Sequence, residues 1–116
     1  MAFNKISFVI ATVDRDKQLQ ECVSSIEKAH EYRKDVPVEI LVVIQKARDM
    51  KKLALRYPGL TSLYYIDTLG LSHARNFAIN KSTGDYFVFL DDEALVNHDF
   101  LYVLSRTTAT YNTVNA

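Results

Sequence analysis

The chain has 116 residues, of which 48% are hydrophobic and 24% are charged, a composition typical of a folded globular domain rather than a disordered segment. Its 14 Lys and Arg residues balance its 14 Asp and Glu residues, so neither nucleic acid nor an anionic membrane surface is the favoured partner. The single cysteine, Cys22, excludes a disulfide within the chain and a cysteine-based zinc site. We therefore expect one domain over residues 1–116.

The location of the protein is predicted from what its sequence lacks. No apolar run approaches the length of a membrane span, and residues 1–5 do not resemble a signal peptide. A lone cysteine also fits a reducing compartment. These features favour a cytoplasmic protein, with the inner face of a membrane left open as its site of action.

The first half of the chain alternates between strand and helix patterns. A run of apolar residues at 6–11 predicts a strand, and the apolar spacing after Asp16 predicts a helix. A second buried strand is expected at 38–44, followed by a weaker helix that begins at Asp49 and ends before Pro58.

The second half continues the same alternation. Residues 63–66 predict a short strand near the edge of the sheet, and Ser72 is expected to cap a helix that extends to Lys81. The aromatic and branched run at 86–90 predicts a strand in the centre of the sheet, and a last helix is expected from Phe100.

Strands that alternate with helices predict an α/β fold, a Rossmann-like three-layer α/β/α sandwich with a mostly parallel central sheet of four main strands. In such a sheet, ligands bind at the carboxyl ends of the strands. The four polar clusters of the chain all follow predicted strands, so we expect them to share one edge. They are Thr12–Arg15, Gln45–Arg48, Asp67–Ser72 and Asp91–Glu93.

The last of these clusters is three consecutive carboxylates, Asp91, Asp92 and Glu93. Like charges at the end of an apolar strand repel each other unless a cation or a set of donors neutralises them. Oxygen ligands suit Mg²⁺ or Mn²⁺, and the amino end of the helix before this strand, with Arg75, favours a phosphate. A nucleoside diphosphate bridged by a metal accounts for both features.

Each signal also has a simpler explanation. The acidic triplet could cap a solvated helix start, and Arg15 and Arg75 could form ordinary surface ion pairs. A phosphorylation receiver or phosphohydrolase domain is a further alternative, but such domains carry their key carboxylates after the first strand, where this chain has only Asp14. The expected convergence on one edge of the sheet favours a binding site.

Three segments together resemble the inverting family 2 glycosyltransferases of the GT-A fold. The first is the strand and loop at 6–15, which is similar to the family's apolar strand and Pro-Thr-Tyr-Asn-Arg-like segment. The second, Gly70-Leu71-Ser72-His73-Ala74-Arg75-Asn76, matches Gly-x-Ser-x-Ala-Arg-Asn. The third, at 84–93, resembles the Gly-(Glu/Asp)-Tyr start and apolar strand that lead to an Asp-x-Asp-type motif.

The resemblance implies transfer of a sugar from a nucleotide-diphosphate donor, most often a UDP-sugar, to an acceptor saccharide, lipid or protein that the sequence does not identify. It implies Mg²⁺ or Mn²⁺ as the cofactor, held by Glu93 and Asp91. The resemblance also implies which residues contact the nucleotide sugar. Thr12 and Arg15 would lie against the base and its flank, and Gln45 occupies the position that reads the base. Arg75 would approach the diphosphate, and Asp91 and Asp92 would lie near the ribose and the metal.

Departures from the family pattern leave a second interpretation open, a binding module without catalytic activity. Gln45 stands where the family has an acidic residue that reads the base, and Glu93 replaces the final Asp of the motif. The resemblance covers the nucleotide-binding half of the family's domain, and the catalytic general base can be assigned to no residue here. The chain is thus expected to be the donor-binding half of a glycosyltransferase that is inactive alone or, alternatively, a non-catalytic nucleotide-sugar binding module. Self-association into a homo-oligomer is also expected, because absent acceptor-side structure would expose apolar surface.

Overall fold

The computed structural model describes residues 5–13, 16–45 and 60–104. These residues form a four-stranded, fully parallel sheet flanked by helices. Its strands are β1 (Ile6–Thr12), β2 (Val38–Gln45), β3 (Thr61–Ile66) and β4 (Tyr86–Asp91). The helices are α1 (Asp16–Tyr32), α2 (Leu71–Lys81) and a short helix at 100–104. The order of the strands is β3-β2-β1-β4. Strands β2 and β3 therefore lie on one side of β1 and β4 lies on the other, so the strand order reverses between β1 and β4.

The alternation of side chains along β1 and β2 produces two apolar layers. On one face, Ile6, Phe8 and Ile10 pack with Leu19 and Ile26 of α1. The other face is covered by α2, where the buried residues are small and few: Val9, Leu41, Val43, Ala74 and Ala78. Both faces of β1 and β2 are therefore covered, which explains why these strands read as continuous apolar runs in the sequence.

The expected α/β fold with a parallel four-stranded sheet is confirmed. Two details of the expectation were wrong. Within the described sheet, β4 is an outer strand that pairs with β1 alone rather than a central strand, and its Phe89 is 39% exposed. Helix α2 begins at Leu71 with Gly70 in the N-cap position, so Ser72 lies within the first turn and is not the cap. Aromatic residues gave β4 the sequence signature of a buried strand, although Tyr86 and Phe87 are only half-buried and Phe89 is exposed.

Two further helices and the edge position of the third strand were also expected. The helix expected from Asp49 lies outside the described residues, whereas the helix expected from Phe100 is present at 100–104. The edge position expected for the third strand is confirmed, since β3 is the outer strand on the side opposite to β4.

The amino end of the sheet is tied together by one carboxylate. Glu39 of β2 accepts hydrogen bonds from the Ser7 hydroxyl of β1 and from the backbone N–H groups of Thr83 and Gly84, at 2.7 and 3.1 Å for the latter two. The Lys5 ammonium lies 3.9 Å from the same carboxylate. Burial by itself raises the pKa of Glu39, but these donors outweigh it and hold the pKa below its ordinary value. This cluster fixes the residues just before β4 and thereby the position of Asp91 at its carboxyl end.

Candidate donor-binding edge

The carboxyl ends of β2, β1 and β4 lie side by side. Thr12 pairs in register with Ile44, the residue before Gln45, and Ala11 pairs with Asp91. Because adjacent strands lie about 4.8 Å apart, this register places three of the predicted site residues along one rim of the sheet. The expected convergence of these polar residues on one edge is therefore observed, at the point where the strand order reverses, which is where ligands bind in open α/β sheets.

Thr12 and Asp92 are joined directly. The Thr12 hydroxyl donates a hydrogen bond of 2.7 Å to Oδ2 of Asp92, and both residues are buried, with 3% and 7% of their surface exposed. A hydrogen bond to an ionised carboxylate is stronger than one between neutral groups. It joins the last residue of β1 to the first residue after β4, and it turns the Asp92 side chain inward.

Asp91 and Glu93 differ from Asp92 in being exposed. The backbone N–H of Ala94 donates to the carbonyl oxygen of Asp91 at 3.0 Å, which closes a turn around the acidic triplet. The chain therefore presents two carboxylates to solvent and keeps one inside.

These two exposed carboxylates fit the chemistry of a hard divalent ion. Magnesium and manganese are commonly held by one or two carboxylates, with water and substrate phosphates completing the shell. Within the described ranges, no three His, Cys, Asp or Glu side chains converge on one point, so a closed site built from protein ligands alone is not what this edge offers. Asp91 and Glu93 are the residues that would hold such an ion together with a phosphate.

A positive charge lies on the same side of the sheet as Asp91. The guanidinium carbon of Arg75 lies 4.9 Å from the centre of the Phe89 ring, a cation–π distance. Since side chains two residues apart on a strand share a face, Phe89 and Asp91 project in the same direction. Arg75 is the fifth residue of α2 and lies in its second turn.

Gln45 is engaged with the start of α2. Its side-chain oxygen accepts a hydrogen bond of 2.8 Å from the backbone N–H of Gly70, and the residue is only 5% exposed. Gly70 has a φ of 139°, in the region that favours glycine. The residue expected to read the base thus also holds the loop that precedes α2.

Two residues of α1 contact the acidic turn, by which we mean residues 91–96, and neither was among the site residues predicted from the sequence. The Cys22 thiol points to the carbonyl oxygen of Asp91 at 3.7 Å, and the Ser25 hydroxyl accepts a hydrogen bond of 3.1 Å from the Val96 N–H. Burial, and secondarily the nearby Asp92 carboxylate, raise the pKa of Cys22 to about 11. The spacing of three residues, which places Cys22 and Ser25 on neighbouring positions of one helix face, was the signal available.

Of the predicted site residues, Thr12, Gln45, Arg75 and the acidic triplet lie at this edge, whereas Arg15 lies outside the described residues. Among the helices of the described part, none is both long and apolar enough to span a membrane.

Among solved structures, Staphylococcus aureus TarS is similar to this chain, with a TM-score of 0.77 and 21% identity, covering 93% of this chain and 20% of that chain. A structure of TarS residues 1–349 matches at a TM-score of 0.74 and 19% identity, covering 93% of this chain and 33% of that one. At these identities the likeness shows a shared fold, and the chain spans a third or less of the structures it resembles.

No curated protein gave a significant match. The family model described as Glycosyl transferase family 2 matches residues 7–114, which include the motif segments at 70–76 and 84–93 and all but the first residue of the segment at 6–15. A match over nearly the whole chain, on a parallel sheet whose polar residues meet at the reversal of strand order, identifies this protein as a member of glycosyl transferase family 2.

Proposed function

We propose that this chain binds a nucleoside diphosphate sugar, with a UDP-sugar favoured, at the carboxyl edge of its sheet. The observation that carries the proposal is the position of Arg75 over Phe89, because it brings a permanent positive charge to the face on which Asp91 projects. A diphosphate needs cationic partners, and a divalent ion on carboxylates next to an arginine supplies two of them.

In this proposal each residue keeps a separate task. Thr12 and Gln45 lie against the nucleoside, with Arg15 at its flank, and Arg75 binds the diphosphate. Asp91 and Glu93 hold Mg²⁺ or Mn²⁺, which when bound stabilises the negative charge of the leaving diphosphate. Asp92, with its carboxylate accepting from Thr12, lies towards the ribose.

Family membership further suggests that the sugar passes to an acceptor hydroxyl with inversion at the anomeric carbon. That reaction requires a general base to deprotonate the acceptor, and no described residue is assigned this task. We therefore propose that donor binding belongs to this chain, and that transfer by the chain alone is undetectable. The acceptor remains a saccharide, lipid or protein.

The test is calorimetric titration of the full chain with UDP and UDP-sugars, with and without Mn²⁺. Binding should require the metal, and both Asp91→Asn and Glu93→Gln should weaken it by about tenfold or more. Asp99→Asn and Glu31→Gln change equivalent groups at exposed positions away from this edge and should leave the affinity unchanged. Metal-independent binding, or equal loss in the control variants, contradicts the proposed site.

A second candidate function is a nucleotide-sugar binding module without transfer activity. The hydrogen bond from Gly70 to the side-chain oxygen of Gln45 favours it, since a family position that reads the base is here occupied by an amide with its acceptor engaged. Neither candidate predicts sustained UDP release by this chain alone, and such release would contradict the missing general base. Release that appears only when the chain is part of a longer protein carrying the general base shows the donor-binding half of an enzyme, whereas metal-dependent binding without release in that longer protein shows a binding module.

A further inference from the structure

The acidic turn is attached to α1 at both ends. At its start, the Cys22 thiol contacts the carbonyl oxygen of Asp91 at 3.7 Å, and at its end, the Val96 N–H donates to Ser25 at 3.1 Å. Both attachments come from one face of α1, since Cys22 and Ser25 are three residues apart. One turn of α1 therefore contacts the backbone at both Asp91 and Val96.

Ser25 is itself held in place. Its hydroxyl donates to the carbonyl oxygen of Cys22 at 2.7 Å, so the lone pair that receives the Val96 N–H is oriented by the helix backbone. A hydroxyl with its proton committed in this way acts as a fixed acceptor. The position of Val96 relative to α1 is thereby set by a chain of two hydrogen bonds, in addition to the packing of its side chain against the core.

Thr12 provides the third attachment, from β1. Its hydrogen bond to the buried Asp92 carboxylate holds the middle residue of the triplet inward. With the middle side chain turned in and both ends fixed, the residues on either side, Asp91 and Glu93, are left exposed.

We propose that Thr12, Cys22 and Ser25 are positioning residues that fix the backbone of the acidic turn so that Asp91 and Glu93 are presented for a divalent ion. This inference rests on the proposed function, because it assigns a role in metal binding to residues that do not contact the metal. Ser25 is the most informative of the three, since it belongs to no motif of the resemblance and its hydroxyl accepts from the backbone N–H of Val96, three residues beyond Glu93.

The inference is tested by measuring Mn²⁺ affinity in the presence of UDP together with amide hydrogen exchange at Val96. Ser25→Ala removes the acceptor, so exchange at Val96 should accelerate and Mn²⁺ affinity should fall by about fivefold. Ser25→Thr keeps a hydroxyl and should restore both readouts. Ser24→Ala makes the same chemical change at the adjacent position and should alter neither. Thr12→Val should weaken Mn²⁺ binding by about tenfold, with Thr12→Ser restoring it.

The outcomes are distinct for the two proposals. If the unaltered chain binds Mn²⁺ but Ser25→Ala and Thr12→Val bind it equally well, the positioning role is rejected and the metal site stands. If the unaltered chain binds no Mn²⁺ with UDP, the proposed function itself is rejected. Weaker binding in Ser25→Ala with recovery in Ser25→Thr supports the positioning role, and equally weak binding in Ser24→Ala would overturn it.

Discussion

The side chain of Gln45 and the backbone of Gly70 are joined by a hydrogen bond of 2.8 Å across the gap between β2 and α2. Because Gln45 is almost fully buried, its oxygen can exchange this partner for water only if the loop moves. We expect Gln45→Leu to lower the free energy of unfolding by about 1 kcal/mol and to accelerate hydrogen exchange at Gly70. Gln45→Glu retains an acceptor and should keep exchange at Gly70 slow. Unchanged exchange in Gln45→Leu would show that the contact does not hold the loop.

The lowered pKa of Glu39 makes the stability of the fold dependent on pH. A carboxyl group whose pKa is lower in the folded than in the unfolded chain stabilises the fold fully above its ordinary value, 4.5, and this contribution is lost as the pH falls through the folded value. Chemical denaturation at pH 7 should show Glu39→Gln less stable by about 2 kcal/mol, with the difference shrinking at acid pH. Glu31→Gln, at an exposed position, serves as the control. An equal difference at acid and neutral pH would contradict this explanation.

Gly84 has no room for a side chain. A Cβ placed there would overlap the Ser7 hydroxyl and stand 3.0 Å from the carbonyl oxygen of Lys5. We expect Gly84→Ala to destabilise the chain by about 2 kcal/mol, measured by thermal unfolding. In a Ser7→Gly background, where the closest obstacle is gone, the same substitution should be less harmful. A penalty of the same size in both backgrounds would exclude the overlap as its cause.

The Phe89 ring supports the Arg75 guanidinium. Replacing Phe89 with Leu keeps an apolar side chain but removes the aromatic face, so the affinity for UDP should fall by about threefold if Arg75 binds the diphosphate. Phe87, which stacks on Phe89 with centroids 6.4 Å apart, offers the matched control Phe87→Leu, for which the affinity should be unchanged. Calorimetric titration checks both, and equal effects would show that the contribution of Phe89 is not made through Arg75.

The Cys22 thiol should be inert in the folded protein. It is fully buried, and a buried thiol is shielded from reagents that attack the thiolate. A colorimetric thiol reagent at neutral pH should titrate no thiol in the native chain and one in denaturant. Prompt reaction without denaturant would show that the contact between α1 and the acidic turn opens readily.

The α/β fold could be predicted from the sequence because the continuous apolar runs of the strands are distinct from the helical spacing of apolar residues between them. Runs at 6–11 and 38–44 have the continuous apolar character of strands covered on both faces, and both appear within one residue of the expected ends. The extra residues, Thr12 and Gln45, are polar at strand ends. Their polarity indicated a loop, whereas their backbones are still paired with the neighbouring strand in the sheet.

The candidate site was predictable as a set of positions but not as a set of contacts. Thr12 and Asp92 are separated by 80 residues. No local sequence pattern predicts that the Asp92 side chain is buried while Asp91 and Glu93 are exposed. The position of β4 at the border of the described sheet was missed for a related reason, because aromatic residues satisfy the pattern of a buried strand even where a ring is partly exposed. Pairing partners depend on the arrangement of the whole sheet, which a local run of residues does not specify.

The placement of β1 between β2 and β4 also has a consequence for biosynthesis. On the ribosome, β1 can pair with β2 only once β2, which ends at Gln45, has emerged, and β4, its other neighbour, is the last of the described strands to be translated. Until β4 arrives, Thr12 lacks its Asp92 partner and Arg75 lacks the Phe89 ring. The nascent chain therefore forms the contacts of this edge only after β4 has docked.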